Sequence, residues 1–270
     1  MEIVIKPKKS WKINFKELWS YRELFWSFAV RDIKVMYKQT IMGIAWAILQ
    51  PFLMMVVFSI FFGKIAGIGT EGSPYPIFVF VGLLFWNYFS GSLSGISGSM
   101  VSNQSMIQKI YFPRVILPLS SVIVNLVNFA FASLILIGLM FYYHFSPSFV
   151  GILMIIPAII VTSFSFVGLG LFFASVNVKY RDVRYVLPFF IQLILFVTPV
   201  IYPPVVLGHY QWLWYLNPMS GVIQTMRVGL LGIGQIDWLL FMGSLVLSLI
   251  IFVFGILYFN KTEKEFADLV

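Results

Sequence analysis

The sequence predicts an all-α integral membrane protein with six transmembrane helices, an N-terminal amphipathic interface helix and short re-entrant helices near the outer face. Three observations lead to this fold class. Hydrophobic residues make up 60% of the chain and charged residues only 10%, whereas soluble domains carry about 25% charged residues. Apolar runs of about 20 residues, the length that crosses the hydrocarbon core of a bilayer, recur along the chain. Lysine and arginine are concentrated in alternate connections between those runs, which is typical of a fixed membrane orientation.

Residues 1–40 form the first expected unit, an N-terminal segment in the cytoplasm or at the membrane interface. They hold nine of the 18 lysine and arginine residues. Apolar residues from Phe15 to Ile33, including Trp19 and Trp26, recur at helical spacing. This stripe predicts a helix in the headgroup plane of an anionic leaflet, which we favour, or a solvated helix packed on a partner. The segment lacks the apolar core of a cleaved signal peptide and is expected to stay on the protein.

Residues 41–260 form the second expected unit, a single domain built from the apolar runs. The predicted spans are Ile41–Phe62, Pro76–Ser97, Val115–Phe141, Val150–Val176, Val186–Tyr202 and Trp238–Phe259. With both termini in the cytoplasm, the inner segments hold sixteen of the 18 basic residues, and the outer loops hold only Lys64 and Arg227. This asymmetry supports six spans followed by a cytoplasmic tail at residues 261–270.

Residues 103–114 connect spans two and three and are expected in water on the cytoplasmic side. They carry Lys109 and Arg114 between two long apolar runs. The cores of the six predicted spans contain no Asp, Glu, Lys, Arg or His, although such residues usually mark proton or ion pathways in transporters. The sequence also contains no G-x-x-x-x-G-K-[ST] phosphate loop. If this protein pumps, its energy must come from another polypeptide, and we expect the force to enter at residues 103–114.

The sequence contains few combinations of residues that could form a catalytic site. The chain has no cysteine and only two histidines, which lie far apart, so thiol chemistry and a clustered metal site are not expected. Asp182 and Asp237, the acids nearest to span ends, fall on opposite sides of the membrane in the predicted topology. Paired carboxylates or a serine–histidine–aspartate set would have to be assembled from scattered loop residues. We therefore predict no catalytic residue, no metal ligand and no cofactor in this chain.

Residues 203–235, called the outer segment below, connect spans five and six but are too apolar for an ordinary loop. A helix predicted at Pro218–Leu231 is too short to cross the membrane. We favour a re-entrant or interfacial pair of helices, because irregular backbone at membrane depth must be buried in protein or face a wet cavity. The alternative is an aromatic belt on lipid headgroups. The aromatic residues concerned are Tyr210, Trp212, Trp214 and Tyr215.

Neutral polar side chains in three predicted spans recur at helical spacing, in two of the spans beside aromatic residues. Rings beside amides suit a sugar chain, because its C–H faces stack on rings while its hydroxyls need hydrogen-bond partners. The commoner alternative is that the amides bond between helices and the rings face lipid. The candidate channel residues are Trp46 and Gln50 in span one, Asn125 and Asn128 in span three, and Phe189, Gln192 and Phe196 in span five.

Four patches of the sequence resemble the ABC-type-2 transporter permeases that export polysaccharides, the O-antigen and teichoic acid group. They are YKQTIMGIAWAILQP at Tyr37–Pro51, IQKIYFPRVILP at Ile107–Pro118, YRD at Tyr180–Asp182 and NPMSGVIQTMR at Asn217–Arg227. Their order and their spacing relative to the six spans cover nearly the whole chain.

The resemblance implies a permease that moves a lipid-linked polysaccharide from the cytoplasm across the inner membrane. It also implies a homodimer bound to two ATP-binding cassette subunits, which would bind ATP and magnesium; no nucleic-acid partner is expected. Residues 103–114 would then be a coupling segment that docks on the ATPase, and the outer segment would gate the exit. The expected coupling residues are Gln104, Ser105, Met106, Ile107, Lys109, Ile110 and Tyr111. The apolar ones, together with Phe112, are expected to fill a groove of the partner.

Three other functions stay open at the level of sequence. ABC exporters of a smaller amphiphile, such as a drug or a lipid, share this architecture. A membrane-embedded enzyme of glycan or lipid processing would show turnover without any ATPase. A scaffold without transport activity is disfavoured, because neutral polar stripes have little purpose in a pure anchor.

Overall fold

The computed structural model describes residues 15–38, 44–70, 72–180, 182–263 and residue 266, and every regular element within them is helical. The helices are α1 (Phe15–Ser20), α2 (Arg22–Lys38), α3 (Ile44–Phe58), α4 (Tyr75–Ser102), α5 (Gln104–Lys109), α6 (Ile116–Tyr142), α7 (Phe149–Lys179), α8 (Val183–Val197), α9 (Pro218–Leu231) and α10 (Trp238–Thr262). A π-helical stretch, Ser59–Ile65, continues α3, and a 3₁₀ stretch, Pro204–Leu216, precedes α9. Residues 1–14 of the predicted N-terminal unit, the start of span one at Ile41, Arg181 and most of the predicted tail lie outside the described residues.

Five helical stretches among the described residues are long and apolar enough to cross a membrane. They are Ala45–Ile65, Tyr75–Ser102, Ile116–Tyr142, Phe149–Lys179 and Trp238–Thr262. These stretches correspond to predicted spans one, two, three, four and six. The predicted class, an all-α integral membrane protein, is confirmed.

The helix in the fifth predicted span is shorter than expected. α8 has 15 residues, so at about 1.5 Å per residue it is about 22 Å long, less than the ~30 Å hydrocarbon core. The helix ends at Val197 rather than near Tyr202, because Thr198 precedes Pro199 and adopts an extended conformation. Residues 198–202 form turns instead. The count of six spans therefore stays a prediction.

α4 lies at the centre of the bundle and contacts α3, α6, α7 and α9. Its side chains are buried around nearly the whole helix, which is typical of a helix in the core of a membrane protein. α7 also contacts α9 and α10. Where α7 and α10 cross, Gly168 and Gly255 face the opposite backbone with no room for a Cβ, and the Ser165 and Ser248 hydroxyls bond at 2.8 Å. Small residues therefore set this close helix contact.

The helices place their connections at two ends of the bundle. The basic end is defined by residues 103–114, 182–184 and 260–263, and the aromatic end by residues 65–70, 142–149 and 203–238. Hydrogen bonds between distant parts of the chain hold each end. Asn177 Nδ2 donates to the Ser97 carbonyl at 3.0 Å near the basic end, and Ser148 Oγ donates to the Gly229 carbonyl at 2.8 Å at the aromatic end.

Candidate functional site

The coupling segment reverses the chain direction at the basic end, between α4 and α6. α5 contains six residues and begins directly after Asn103. Residues 110–113 are non-helical, and Ile110, the first of them, is extended. Pro113 supports this geometry, because proline disfavours the helical conformation in the residue before it. The segment is thus a short helix followed by a non-helical stretch, and a cleft of about 210 Å³ lies along it.

The expected coupling residues divide into an exposed set and a buried set. The exposed residues are Gln104, Ser105, Lys109, Ile110 and Tyr111. Ile110 and Tyr111 are the most prominent apolar groups, at 56% and 61% exposure. Met106 is half-buried, whereas Ile107 and Phe112 are buried within the chain. The expectation that all the apolar members fill a partner's groove is therefore too broad, since Ile107 and Phe112 anchor the segment to its own bundle.

α2 lies against both ends of α5. Arg31 Nη2 donates to Asn103 Oδ1 at 2.9 Å just before α5, and the same guanidinium pairs with the Asp32 carboxylate at 2.8 Å. The Phe28 ring lies 5.8 Å from the Phe112 ring, between centroids, just after α5. α2 therefore braces the coupling segment. The local pattern indicated only an interfacial basic residue at Arg31, because the contact joins residues 72 positions apart.

α2 also runs beside α6, and its predicted apolar stripe is divided between two surroundings. Trp19 and Trp26 are exposed, which suits a helix at the headgroup level, while Ala29 is buried. The Tyr37 hydroxyl donates to Asn128 Oδ1 of α6 at 2.5 Å. Burial raises the pKa of the Tyr37 phenol above its ordinary value, so the hydroxyl stays a neutral donor.

The end of α10 is joined to the coupling segment through Arg114. The Arg114 backbone N–H donates to Glu263 Oε1 at 3.2 Å, and the Arg114 guanidinium donates to the Glu263 carbonyl. The guanidinium carbon lies 6.0 Å from the Phe266 ring centroid. Arg114 therefore connects the start of α6 to the end of α10, in addition to carrying the positive charge expected of an inner loop.

The candidate channel residues on α3 and α8 face outward from the single chain. Trp46 on α3 and Phe189 and Phe196 on α8 are each about half exposed, and Gln50 and Gln192 are also exposed. α3 packs on α4 and α6, whereas α8 packs on α4 and α7. Each helix thus presents an apolar face with one amide in it, which the described part of this chain leaves uncovered.

The candidate channel residues on α6 make contacts along and between helices. Asn125 Nδ2 donates to the Ser121 carbonyl at 3.2 Å. Asn125 Oδ1 lies so close to α4 that a Cβ at Gly91 would be 2.6 Å from it. Asn128 accepts the hydrogen bond from Tyr37. Asn128 thus bonds to another helix, whereas Asn125 bonds within α6 and packs against α4. These contacts favour a role in helix packing over channel lining for both residues.

α9 is a short helix that the chain buries at the aromatic end. Twelve of its 14 residues are buried, which favours the re-entrant interpretation of the outer segment over an aromatic belt. At its N-terminus, Asn217 Oδ1 accepts a hydrogen bond from the Met219 N–H at 3.0 Å, while Asn217 Nδ2 donates to Thr198 Oγ1 at 2.8 Å. Gly232 ends the helix in the left-handed conformation, with φ of 68°. The N-cap of α9 is therefore also a contact with the end of α8.

Arg227 is a buried cation on α9, only 3% exposed. Its Nη1 and Nη2 donate to the carbonyls of Pro199 and Val200 at 2.6 and 2.5 Å, and its Nε donates to the Phe78 carbonyl at 3.2 Å. The guanidinium carbon lies 3.6 Å from the Phe78 ring centroid. Arg227 lies in the connection where the sequence placed it, but it is buried within the bundle rather than exposed in a loop. Its burial is tolerated because carbonyls released at the end of α8 accept its donors.

Two residues of α4 complete the contact with residues 198–202. The Tyr75 hydroxyl donates to the Ile201 carbonyl at 2.7 Å. A Cβ at Gly82 would lie 2.8 Å from Arg227 Nη2 and 3.0 Å from the Val200 carbonyl oxygen. Glycine at position 82 therefore allows the turn to approach α4. We call Arg227, Tyr75 and Gly82, with the carbonyls of residues 199–201, the turn clamp.

The aromatic residues of the outer segment also divide by exposure. Tyr210, Trp212 and Tyr215 are exposed, whereas Trp214 is only 4% exposed. The 3₁₀ stretch is kinked at Gly208, where φ is 47° and ψ is −117°, a conformation that favours glycine. The four residues grouped as one gate in the sequence thus have different surroundings.

The described residues provide contact surfaces and a buried cation rather than a catalytic cluster. Among them, no group of three or more His, Asp or Glu side chains is placed to hold a metal ion. Asp182 and Asp237 precede α8 and α10 at opposite ends of the bundle. Asp237 Oδ1 caps α10 by accepting a hydrogen bond from the Leu240 N–H at 3.0 Å.

Comparison with known proteins agrees with this architecture. The family model described as ABC-2 type transporter matches residues 23–231. The O-antigen export system permease protein RfbA of Myxococcus xanthus is 32% identical over 189 residues, which is 70% of this chain and 71% of that protein. The protein of the same name from Klebsiella pneumoniae is 27% identical over 246 residues, 89% of this chain and 92% of the relative. The polysialic acid transport protein KpsM of Escherichia coli is 22% identical over 203 residues, 73% of this chain and 77% of the relative. The chain therefore belongs to the ABC-2 type transporter family.

Proposed function

We propose that the chain is the permease subunit of an ATP-driven exporter that moves a lipid-linked polysaccharide out of the cytoplasm. The observation that carries this proposal is the similarity to O-antigen export permeases over 70% and 89% of the chain. Membership in a transporter family accords with a transport subunit rather than an enzyme. ATP and magnesium would be bound by a separate subunit.

The coupling segment is the proposed entry point for force from that subunit. Ile110 and Tyr111 project from it and offer apolar side chains to a groove, with Lys109 exposed beside them. Ile107 and Phe112 are buried on the inner side, so a push on the exposed residues is passed to the packed body. In this arrangement the protein lies in the inner membrane. Its basic end and both of its termini face the cytoplasm.

The working unit is proposed to be a homodimer bound to two ATPase subunits. The support comes from the uncovered faces of α3 and α8, which carry Trp46, Gln50, Phe189, Gln192 and Phe196. An exposed amide in an apolar helix face needs a polar partner or water at membrane depth. If the faces of two copies meet around a wet channel, the rings and amides would both contact a passing sugar chain.

The test is ATP-dependent export by vesicles that contain the permease with its ATP-binding subunit. Ile110→Asp places a charge in the docking surface without opening the core, and we expect binding of the ATPase to weaken by about 2 kcal/mol, roughly 30-fold. Export should fall in parallel while the amount of folded permease stays the same. Arg184→Asp changes charge at an exposed position of the same end, on α8 rather than on the coupling segment, and serves as the control.

Two outcomes would contradict the proposal. Undiminished polysaccharide export by Ile110→Asp would show that this segment does not receive the force. Export of a drug or lipid by the wild-type complex, with no polysaccharide movement, would instead identify an exporter of smaller amphiphiles.

A further inference from the structure

A small polar cavity lies at the aromatic end, between the 3₁₀ stretch, α9 and the start of α10. It has a volume of about 140 Å³ and its polar and aromatic lining consists of Gln211, Trp214, Tyr215, Gln224, Gln235 and Asp237. It lies away from the coupling segment and away from the outward faces of α3 and α8. Two of its residues, Trp214 and Tyr215, were predicted to belong to the outer gate, but no ligand has been assigned to the cavity itself.

Two buried polar atoms of the lining residues have no hydrogen-bond partner within the described part of the chain. They are Trp214 Nε1 and Gln224 Oε1, and the Trp214 side chain is almost wholly enclosed. A buried polar group without a partner is costly, and one that persists in a folded protein needs an explanation. Gln224 also lines a pocket of about 10 Å³ beside Arg227, which has room for at most a water molecule. The larger cavity is lined by both Trp214 and Gln224, so it is the place where one ligand can be the partner of both.

The chemistry of these two atoms restricts the ligand. The indole Nε1–H only donates, and the amide Oε1 only accepts. An ammonium group has no acceptor for Trp214, and a phosphate has no donor for Gln224 and would also approach the Asp237 carboxylate. A hydroxyl group both donates and accepts, so it satisfies both atoms.

The geometry points to a binding subsite for a neutral pyranose, a single sugar unit of the exported chain. This inference rests on the proposed function and adds a place at which the outer segment contacts the substrate. The Tyr215 ring is part of the lining and half exposed, so it offers a surface for the C–H face of a sugar. Asp237 keeps carboxylate acceptor capacity beyond the helix cap. The volume corresponds to about five water molecules in the liquid, so the site takes one edge of a ring rather than a whole chain.

The subsite also connects two parts of the aromatic end. Trp214 belongs to the 3₁₀ stretch, and Gln224 lies on α9 one turn before Arg227. A sugar bonded to both residues therefore joins the 3₁₀ stretch to α9, the helix that carries Arg227 of the turn clamp. Occupancy is expected to hold these elements together while a sugar unit passes.

The experiment uses the complex of permease and ATPase in lipid nanodiscs, free of sugar-headed detergents. The eight tryptophans are labelled with 5-fluorotryptophan, and the Trp214 signal in the fluorine NMR spectrum is assigned by its loss in Trp214→Phe. Glucose, mannose and galactose are then titrated as probes, with choline and inorganic phosphate as charged probes. We expect a saturable shift of the Trp214 signal with at least one sugar and none with the charged probes.

Two variants test where the sugar binds. Gln224→Met removes the acceptor while keeping a side chain of similar size. It should weaken sugar binding roughly tenfold, which is about the loss of one hydrogen bond. Trp238→Phe, an exposed tryptophan at the same end, should leave the affinity unchanged.

Each other outcome counts against the subsite. No saturable shift with any of the three sugars would leave water as the partner of Trp214 and Gln224. An equal shift in Gln224→Met would show that the sugar does not bind in this cavity. A shift with choline or phosphate alone would mark a charged-headgroup site. ATP-dependent polysaccharide export by the wild-type complex is measured in parallel, so export without sugar binding refutes only the subsite, whereas absent export refutes the proposed function.

Discussion

Arg227 shows how one residue fixes the geometry of the aromatic end. A cation with 3% exposure is costly to bury unless its donors are used. Pro199 and Val200 lie where α8 has ended, so their carbonyls need donors from elsewhere, and Arg227 supplies them. The arginine and the turn therefore stabilise each other. Replacing Arg227 would leave carbonyls of residues 199–200 without these partners.

Arg227→Met keeps the length of the side chain and removes its donors. We expect a loss of roughly 3 kcal/mol in stability and an opening of residues 198–202. The chain has no cysteine, so Ile201→Cys, at a buried position, can report the opening through labelling with a membrane-impermeant maleimide. Labelling should be slow with Arg227 and much faster with Arg227→Met. Equal labelling rates in the two backgrounds would show that the guanidinium does not hold the turn.

Replacing Gly82 of α4 tests the contact between α4 and residues 198–202. In Gly82→Ala the new methyl group would lie 3.0 Å from the Val200 carbonyl oxygen, and we expect a destabilisation of about 1–3 kcal/mol from overpacking. Gly98→Ala is the matched control in the same helix, because nothing lies within 4 Å of its Cβ position. That change should stabilise the helix by up to about 1 kcal/mol. Thermal unfolding of the two purified variants would show shifts of opposite sign, and shifts of the same sign would refute the tight contact.

Among the helices, α2 makes contacts on both sides of α5 and with α6. It contacts the residue before α5 through Arg31 and the residues after α5 through Phe28. Its last turn contacts α6 through Tyr37. A displacement of α5 therefore reaches α6 by two routes, directly along the chain and through α2. We therefore expect α2 to be part of the path between the coupling segment and the spans.

Arg31→Met should loosen that path while leaving the bundle intact. The substitution removes the hydrogen bond to Asn103 and keeps an unbranched apolar side chain. We expect ATP hydrolysis to continue and the amount of substrate exported per ATP to fall about fivefold, the low end of typical coupling between sites. Lys34→Met, at an exposed position on the same helix, is the control. If both variants export equally well per ATP, α2 is not part of the coupling path.

The described part of the chain leaves large apolar surfaces uncovered, and lipid and protein are the two candidates to cover them. The exposed faces of α3 and α8 contain amides, whereas the exposed face of α10 is made of residues such as Val246, Ile250 and Val253. Purely apolar faces suit lipid, and faces that mix rings with amides suit a protein contact or a wet channel. The whole molecule is therefore expected to pair through α3 and α8.

Cysteine cross-linking tests this pairing, since the chain has no cysteine of its own. Phe189→Cys and Trp46→Cys, separately and combined, should yield covalent dimers on mild oxidation in native membranes. Val246→Cys places the thiol on α10 at a comparable exposure and should stay monomeric. Dimers from Val246→Cys alone would place the interface on α10 instead.

Local properties account for what could be predicted without the fold. The length and apolarity of Tyr75–Ser102 or Trp238–Thr262 are visible in any window of the sequence, so the membrane class followed from composition. Lys109 and Arg114, between two long apolar runs, marked a polar connection for the same reason. The helix at Pro218–Leu231 was predicted with the bounds that the structure has, because an asparagine–proline start and a glycine stop are local signals.

The sequence by itself determined the membrane class, the position of five helices long and apolar enough to cross a membrane, and the position of the polar connection at residues 103–114. Only the tertiary structure decided which charges are buried, which aromatic residues of the outer segment are enclosed and how α2 contacts the residues on either side of α5. Arg227 bonds to a carbonyl 149 positions away, and Arg31 bonds to an amide 72 positions away. The cost of burying a charge depends on the donors and acceptors that folding brings to it, and no sequence window contains both partners.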